Sequence, residues 1–334
     1  MAQHVLAHVI SFIIQKGGCG KTTTTANTAS YLAMNGFKVL AVDMDPQGNL
    51  TQHFGYDTDA IDDTILHLLL KEKTFEQVVQ HRSANLDLIP NNIETAAYEF
   101  SLYKSMAREF ALRDVLDPFR KQYDFILIDC PPNLGIFSLN ALVASTEFVL
   151  VVAPEFFPMR AIKPFYETYQ MVKKNFNRTL KFKGVLMTMC DFRTRHSQEV
   201  RQILERNFPS KLYRSYIRVN VTLKEAASAG QSIFEYAPQS IGAFDYRNFA
   251  EEFIRDHQAV QKKRQYYESK FRELSPSEQE EILSFARKNL SVYANQRLQG
   301  EADDAILNEA LIIERNKILE KLFPYRHHQI AENT

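Results

Sequence analysis

A glycine-rich loop that contains two lysines is the segment of this sequence best suited to chemistry. Residues 15–23 read Gln-Lys-Gly-Gly-Cys-Gly-Lys-Thr-Thr, between an apolar run at residues 9–14 and a predicted helix at residues 24–35. Glycines let backbone N–H groups converge on phosphate oxygens, lysine adds charge, and a threonine hydroxyl can ligate magnesium. The flanking strand and helix disfavour the alternative of a turn with two solvated lysines. The pattern predicts ATP-like nucleotide and Mg²⁺ binding by Gly17, Gly18, Cys19, Gly20, Lys21, Thr22 and Thr23.

A second candidate site residue follows another apolar segment. Residues 123–128 read Tyr-Asp-Phe-Ile-Leu-Ile, and Asp129 comes next. In phosphate-loop enzymes an apolar strand delivers a carboxylate to the magnesium side of the site. Asp129 and Thr22 are therefore the predicted magnesium ligands. The alternative is that Asp129 caps a helix at residues 139–145.

The segments between these two motifs predict the fold class. Strand-like apolar runs alternate with amphipathic helical stretches as far as about residue 256, with strands expected at 9–15, 38–43, 86–89, 123–129, 147–153, 182–189 and 212–217. This alternation is typical of an α/β fold, with a mostly parallel sheet, helices on both faces and ligands at the carboxyl ends of strands. Both motifs lie at such ends.

Composition restricts the class of protein. The 334 residues include 45% hydrophobic side chains, and 40 basic residues balance 40 acidic ones. The longest apolar runs have the length of strands and no secretion signal is evident, so we expect a cytoplasmic protein. Three widely spaced cysteines argue against disulfides and lack the paired spacing of a zinc or iron–sulfur site.

Basic residues are concentrated in one part of this neutral chain. Residues 173–218 contain twelve Lys or Arg against three Asp or Glu, a local excess of nine positive charges. Such a segment can bind phosphate backbones without reading base sequence. Solvated surface arginines are the alternative.

The loop resembles the signature Lys-Gly-Gly-x-Gly-Lys-Thr-Thr of the deviant Walker ATPases, the group that includes the ParA and MinD proteins. Residues 43–49 (Asp-Met-Asp-Pro-Gln-Gly-Asn) and 129–132 (Asp-Cys-Pro-Pro) are similar to the first and second switches of its ParA branch. The resemblance covers about residues 8–256 and implies a P-loop ATPase. It implies that Asp45 orients the attacking water, although this Asp-x-Asp-Pro segment would also suit a turn.

The resemblance also implies a homodimer that forms on ATP binding. In this group the first lysine of the loop reaches phosphates bound by the neighbouring subunit, which is the role implied for Lys16. The residues with implied catalytic roles are Lys16, Lys21 and Asp45.

A DNA-binding surface is a further implication. Residues 188–195 are similar to the ParA stretch whose arginine contacts DNA, which places Arg193 in that role, with Arg195 at the end of the same stretch.

A second ParA segment, near the nucleotide base and the DNA surface, is similar to residues 217–227. Two arginines of the family pattern are replaced by Val219 and Thr222, and Arg218 or Lys224 is expected to restore the lost charge. Asn220 matches the pattern, which implies a position near adenine.

Residues 257–334 extend beyond the usual end of ParA proteins, so we expect an ATPase domain at residues 1–256 followed by a helical extension. Ser-Pro-Ser-Glu at residues 275–278 predicts a helix start, and a second helix is expected at about 302–323. MinD relatives bind membranes through a C-terminal amphipathic helix. Here residues 301–323 carry six acids and three bases, which favours packing on the ATPase domain or on a partner.

These features together predict a plasmid or chromosome partition ATPase. ATP would close a dimer, the dimer would bind nucleoid DNA without sequence preference, and hydrolysis stimulated by a ParB-like partner would release it. Only a short lead precedes the first strand, so we expect no helix-turn-helix extension, and we expect no membrane binding. Two alternatives remain: a MinD-like membrane-cycling regulator, and a ParA relative that positions a protein cargo.

Overall fold

Eight strands form one sheet in the computed structural model, which describes residues 6–104, 106–154, 158–255, 257, 275–277 and 279. The order across the sheet is β3-β4-β2-β5-β1-β6-β7-β8, and each neighbouring pair is parallel except β3 with β4. The strand bounds are β1 His8–Ile13, β2 Val39–Asp43, β3 Gln80–Ser83, β4 Leu86–Ile89, β5 Phe125–Asp129, β6 Glu147–Val152, β7 Lys181–Cys190 and β8 Leu212–Arg218.

Helices connect these strands, together with 3₁₀ turns at Arg108–Phe110 and Asp117–Phe119. The α-helices are α1 Lys21–Met34, α2 Asn49–His53, α3 Ile65–Leu69, α4 Phe75–Val78, α5 Glu94–Ala97, α6 Glu99–Lys104, α7 Ala111–Leu116, α8 Ile136–Ala144, α9 Pro158–Asn175, α10 Arg195–Asn207, α11 Val221–Ser228, α12 Ile233–Tyr236 and α13 Ile241–Ile254.

The central strands are covered on both faces. Every residue of β2 and β5 is buried, and successive strand residues point to opposite faces, so both faces carry packed side chains. On one face Ile128 shares a hydrophobic cluster with Phe137 of α8. On the other, the ring of Phe12 lies 6.4 Å from that of Phe249 in α13. This arrangement confirms the predicted α/β fold.

All seven predicted strands are present, each within two residues of its predicted bounds. The strand that sequence analysis missed is β3, whose residues Gln-His-Arg-Ser include no apolar side chain and alternate between half-buried and exposed. β3 pairs antiparallel at the edge of the sheet, where one strand face meets water. Its polar composition therefore hid it from a search for apolar runs.

The parallel strands bring the predicted site segments together at the carboxyl ends of the strands. Asp43 at the end of β2 pairs in register with Asp129 at the end of β5, and Phe12 of β1 also pairs with Asp129. Met44 N donates to Asp129 O at 3.0 Å and so joins the two loops beyond the strands. The phosphate loop follows β1 at the same edge.

Contacts divide the chain into two units, residues 1–33 with 37–249 and residues 34–36 with 250–334. The first unit contains the sheet. In the second, Gln279 N donates to Ser275 O at 3.0 Å, which fits the predicted helix start. The expected helix at 302–323 lies outside the described residues, and the expected domain boundary after residue 256 stays a prediction. No helix in the described part of the chain has the length and apolar character needed to span a bilayer.

Candidate functional site

The phosphate loop adopts a backbone that needs glycine at two positions. Gly18 has φ +70° and Gly20 has φ +83°, values that L side chains rarely adopt. Thr24 N donates to Gly20 O at 2.9 Å, and α1 begins at Lys21, three residues before the predicted start. The loop therefore leads directly into the N-terminus of a 14-residue helix, where backbone N–H groups favour anions.

Lys21 is held inside this loop. Its side chain is buried, with the residue 6% exposed, and its Nζ donates to the carbonyl oxygen of Lys16 at 2.8 Å. Phosphate oxygens entering the loop would offer this ammonium group a charged acceptor instead of a neutral one. Lys16 itself is half-buried at the opposite end of the loop.

The remaining loop contacts are structural. Cys19 is buried, and burial raises the pKa of its thiol, so the reactive thiolate is disfavoured. Thr188 of β7 donates from Oγ1 to Cys19 O at 2.6 Å and fixes the loop against the sheet. Sequence analysis missed this role of Thr188, because nothing local in the sequence links β7 to a loop 169 residues earlier.

Asp43, which sequence analysis did not select, organises the loop after β2. Its Oδ2 accepts hydrogen bonds from Thr51 N at 2.9 Å and Thr51 Oγ1 at 2.8 Å, and its Oδ1 accepts from Asp45 N at 3.1 Å. Burial raises the pKa of Asp43, and the bonds from Thr51 oppose that rise. Asp43 therefore anchors α2 and positions Asp45.

Asp129 is fully buried, and neither of its carboxylate oxygens has a hydrogen-bond partner among the described residues. Burial and then the nearby Asp43 raise the pKa of Asp129, while the Thr22 hydroxyl and Lys21 lower it less. A buried, unpartnered carboxylate is costly unless a cation neutralises it. A carboxylate beside a threonine hydroxyl is a donor set that Mg²⁺ accepts, so these residues fit a magnesium ion. The alternative role as a helix cap is not seen, because Gly135 precedes α8.

The surroundings of Asp45 are compatible with both roles considered from the sequence, a turn residue and a residue of the phosphate site. Its Oδ1 accepts from Gln47 N at 3.1 Å, which is the turn contact expected of Asp in such a segment. Asp45 is also only 7% exposed and lines the same cleft as Lys21 and Thr22. The turn thus holds a carboxylate at the wall of the phosphate site.

The cleft has two adjoining parts. The part at the phosphate loop is about 480 Å³ and the neighbouring part is about 340 Å³. Both are lined by Gly20, Thr23, Met189, Lys224 and Ala227, so the two parts lie side by side. This shape suits a ligand with phosphates at one end and a larger group at the other.

Asn220 lies at the second part of the cleft and caps α11. Its Oδ1 accepts from Thr222 N at 2.9 Å, which supplies the helix N-cap. The implied position near adenine is compatible with this place and stays a prediction.

Arg193 and Arg195 are exposed beyond the end of β7. The Arg193 side chain is 90% exposed, and its Nε and Nη2 donate to Asp191 at 2.9 and 2.7 Å. Arg193 lowers the pKa of Asp191 to about 2. An ion pair this exposed contributes little to stability and exchanges readily for another anion.

Arg218 and Lys224, the two residues expected to replace missing DNA contacts, have other surroundings. Arg218 Nε donates to both carboxylate oxygens of Asp245, at 3.0 and 3.2 Å, and the Asp245 side chain is only 4% exposed. Lys224 lines both parts of the nucleotide cleft. The structure therefore supports a structural clamp for Arg218 and a cleft position for Lys224 more than a DNA contact for either.

The basic segment is not one surface. Lys181 starts β7 and Arg193 follows its other end, so the ten-residue strand separates them by roughly 30 Å. Arg201 is committed elsewhere, because its guanidinium lies over the rings of Phe192 and Tyr216 at 5.5 and 5.7 Å. The excess of positive charge counted along the sequence is thus divided between the amino ends and the carboxyl ends of the strands.

Comparisons with known proteins identify relatives over most of the chain. A family model described as an AAA domain matches residues 7–182. The sporulation initiation inhibitor protein Soj of Bacillus subtilis is 37% identical over 248 residues, which are 74% of this chain and 98% of that protein. The chromosome-partitioning ATPase Soj of Treponema pallidum is 36% identical over 250 residues, covering 75% of this chain and 98% of that protein.

Solved structures are similar over the same region. Cobyrinic acid a,c-diamide synthase from Mycobacterium smegmatis, solved with a bound ATP analogue and magnesium, matches with a TM-score of 0.67 and 31% identity. The match covers 75% of this chain and 95% of that one.

Proposed function

The chain belongs to the ParA/Soj family and is an ATPase of that family, and we propose that it binds ATP and Mg²⁺ in the cleft described above. The observation that carries the proposal is the buried carboxylate of Asp129, which has no hydrogen-bond partner in the described part of the chain. Mg²⁺ bound to ATP would supply the positive charge that this position requires. The phosphate loop supplies the anion site next to it.

The residues of the phosphate loop and Asp129 then have distinct roles. Lys21 and the backbone N–H groups from Gly17 to Thr22 hold the phosphates, while Thr22 and Asp129 hold the metal. When bound, Mg²⁺ reduces the charge repulsion that opposes attack on the terminal phosphate.

Asp45 orients the attacking water in this proposal. Two backbone contacts fix its place: its own N–H bonds Asp43, and its carboxylate accepts from Gln47 N. A carboxylate held in this way beside the phosphate site can position a water without forming a covalent bond.

ATP binding is proposed to close a homodimer, with Lys16 reaching the partner's phosphates. Support comes from the exposed Gly17, because a Cβ atom at this position would meet only Pro132 Cβ within 4 Å, at 3.9 Å. A partner backbone could therefore approach the loop closely. Lys16→Ala should bind ATP but remain monomeric by light scattering with a nonhydrolysable analogue, and a normal dimer would remove this role. Gly17→Val should also block dimerisation, because its side chain would fill that space.

The dimer is proposed to bind DNA without sequence preference, associate with the nucleoid and release DNA on hydrolysis stimulated by a ParB-like protein. The name of the Treponema pallidum relative, a chromosome-partitioning ATPase, supports a segregation role. Arg193 and Arg195 are the DNA contacts assigned here, because both are exposed at the nucleotide edge of the sheet.

DNA binding tests the segregation role. Filter binding of unrelated duplexes should require ATP and weaken steeply between low and moderate salt. If the ATP-bound dimer shows no salt-sensitive DNA affinity while hydrolysis is intact, transport of a protein cargo replaces DNA segregation. Co-sedimentation with anionic liposomes tests the membrane-cycling alternative, and we expect no binding.

A further inference from the structure

Lys224 is an exposed lysine on α11, the helix that forms one wall of the nucleotide cleft. It lines both parts of the cleft, whereas Lys21 lines only the phosphate part and Arg218 lines only the second part. Among the residues that the structure describes, Lys224 is therefore the one basic residue at the boundary between the two parts.

The helix α11 turns one of its faces toward the cleft. Lys224, Ala227 and Ser228 all line the phosphate part, and their spacing of three and four residues places them on one face of the helix. Leu223 and Ala226 lie on another face and are buried. Ala227 and Ser228 have short side chains, so the long side chain of Lys224 is the group on the cleft face that can extend into the cleft.

The other residues at this boundary belong to the phosphate loop, the start of α1 and the end of β7. They are Gly20, Thr23 and Met189. The Met189 side chain ends near the loop, because a Cβ atom on Gly20 would lie 3.9 Å from Met189 Cε. Backbone N–H groups at the start of α1 favour anions. An anion held by these groups would therefore lie beside the space into which Lys224 can extend.

No acidic residue of the described chain forms an ion pair with Lys224. Lys224 also forms no hydrogen bond within the described chain, whereas Arg218 is already paired with Asp245. Asp45 is the single acidic residue among the described residues that line the two parts of the cleft. The ammonium group of Lys224 can therefore pair with an anion that enters the cleft without first losing another partner.

We propose that Lys224 binds the phosphate chain of ATP or ADP from the α11 side of the cleft, while the phosphate loop holds the same phosphates. This assignment rests on the proposed nucleotide function of the cleft. It replaces the DNA contact that the sequence suggested for Lys224. The sequence offered no signal for it, because Lys224 is far from the phosphate loop along the chain.

ADP titration tests the assignment without dimerisation, hydrolysis or DNA. Lys224→Gln should weaken ADP binding about fivefold, less than a change at the buried Lys21, because water and salt screen an exposed charge pair. Lys224→Arg keeps the charge and should bind ADP within about twofold of wild type. Lys211→Gln, the matched control, removes the same charge from an exposed lysine outside the cleft lining and should not alter ADP affinity.

Further measurements test whether the charge of Lys224 is the property that matters. Lys224→Glu should bind ADP several-fold more weakly than Lys224→Gln, because a repelling charge replaces an attracting one. Added KCl should weaken ADP binding by wild type more than by Lys224→Gln, which has already lost the screened pair. The melting temperature of Lys224→Gln without nucleotide should equal that of wild type, because an exposed side chain is replaced by another good helix former.

Two results would overturn the proposal. The first is unchanged ADP affinity in Lys224→Gln, and weaker DNA binding by the same variant would then return Lys224 to the DNA surface. The second is equally weak ADP binding by Lys224→Arg, Lys224→Gln and Lys224→Glu, which would show that charge is not the property that matters.

Lys21→Ala separates the two levels of inference. If Lys21→Ala abolishes ADP binding while Lys224→Gln leaves it unchanged, the nucleotide site stands and only the role of Lys224 fails. If Lys21→Ala also binds ADP normally, the proposed function of the cleft itself fails.

Discussion

The phosphate-loop edge and the basic segment differ in how their charges are neutralised. At the loop edge, Asp129 is fully buried and has no hydrogen-bond partner in the described chain. In the basic segment, Arg193 and Arg218 already bond Asp191 and Asp245. One region holds a buried carboxylate that no hydrogen bond satisfies, whereas in the other these two arginines are paired with acids of the chain itself.

This difference teaches which kind of charge is evidence of a ligand. A buried carboxylate without a partner has a large unfavourable energy, so the group either takes up a proton or keeps its charge beside a cation. Exposed arginines have no such cost, and their number says little about what they bind. The ligand inference is therefore stronger at Asp129 than at any residue of the basic segment.

The largest expected effect is at Lys21. Lys21→Ala should weaken ATP binding by about 100-fold or more, because charge-assisted bonds to the phosphates are lost. Lys38→Ala, which removes an exposed lysine before β2, is the matched control and should bind normally. Isothermal titration calorimetry measures both. Unchanged ATP affinity in Lys21→Ala would contradict the comparison, because the phosphate loop would then not be an anion-binding site.

Asp45 should affect turnover more than binding. Asp45→Ala should bind ATP with unchanged affinity and hydrolyse it at least about 100-fold more slowly, since the attacking water loses its orienting group. Asp45→Asn keeps the acceptor for Gln47 N and so preserves the turn. Single-turnover kinetics should find both variants slow. Recovery of the rate in Asp45→Asn would show that the turn contact, and not the carboxylate charge, is what matters.

Arg218 should affect stability more than DNA affinity. Arg218→Ala leaves the buried Asp245 with the backbone N–H of residue 218 but without the guanidinium. We expect about 2–3 kcal/mol of destabilisation, less than for a fully buried pair, because that N–H remains and the Arg218 side chain is 39% exposed. Urea unfolding measures this loss, and Arg218→Ala combined with Asp245→Ala should recover part of it. A stable Arg218→Ala variant with weakened DNA binding would return Arg218 to the DNA surface.

The fold and the phosphate site could be predicted because their signals are local. An apolar strand, a glycine loop and a helix are adjacent in the sequence, and strand-terminal carboxylates such as Asp129 follow apolar runs directly. Parallel strands then bring them to one edge without further information.

Long-range contacts were not predictable in this way. The bonds from Thr188 to Cys19 and from Arg218 to Asp245 join residues far apart in the sequence. The charge count over residues 173–218 also took no account of where each residue lies along the strands. β7 carries the chain from the amino ends of the strands to their carboxyl ends, so basic residues before and after β7 lie far apart. The density of charge along the sequence thus does not correspond to one continuous basic surface.

The smallest expected effect separates the two halves of the basic segment. Arg193→Gln should weaken binding of unrelated duplexes several-fold and reduce the slope of log affinity against log salt by about one, as expected for one lost phosphate contact. Arg178→Gln removes an exposed arginine near the start of β7 and is the matched control. Arg178→Gln should leave the DNA affinity and its salt dependence unchanged if only the carboxyl ends of the strands, beside the nucleotide cleft, contact DNA. Equal losses of DNA affinity in the two variants would mean that DNA contacts both ends of the strands. The division of the basic segment by β7 would then have no consequence for DNA binding.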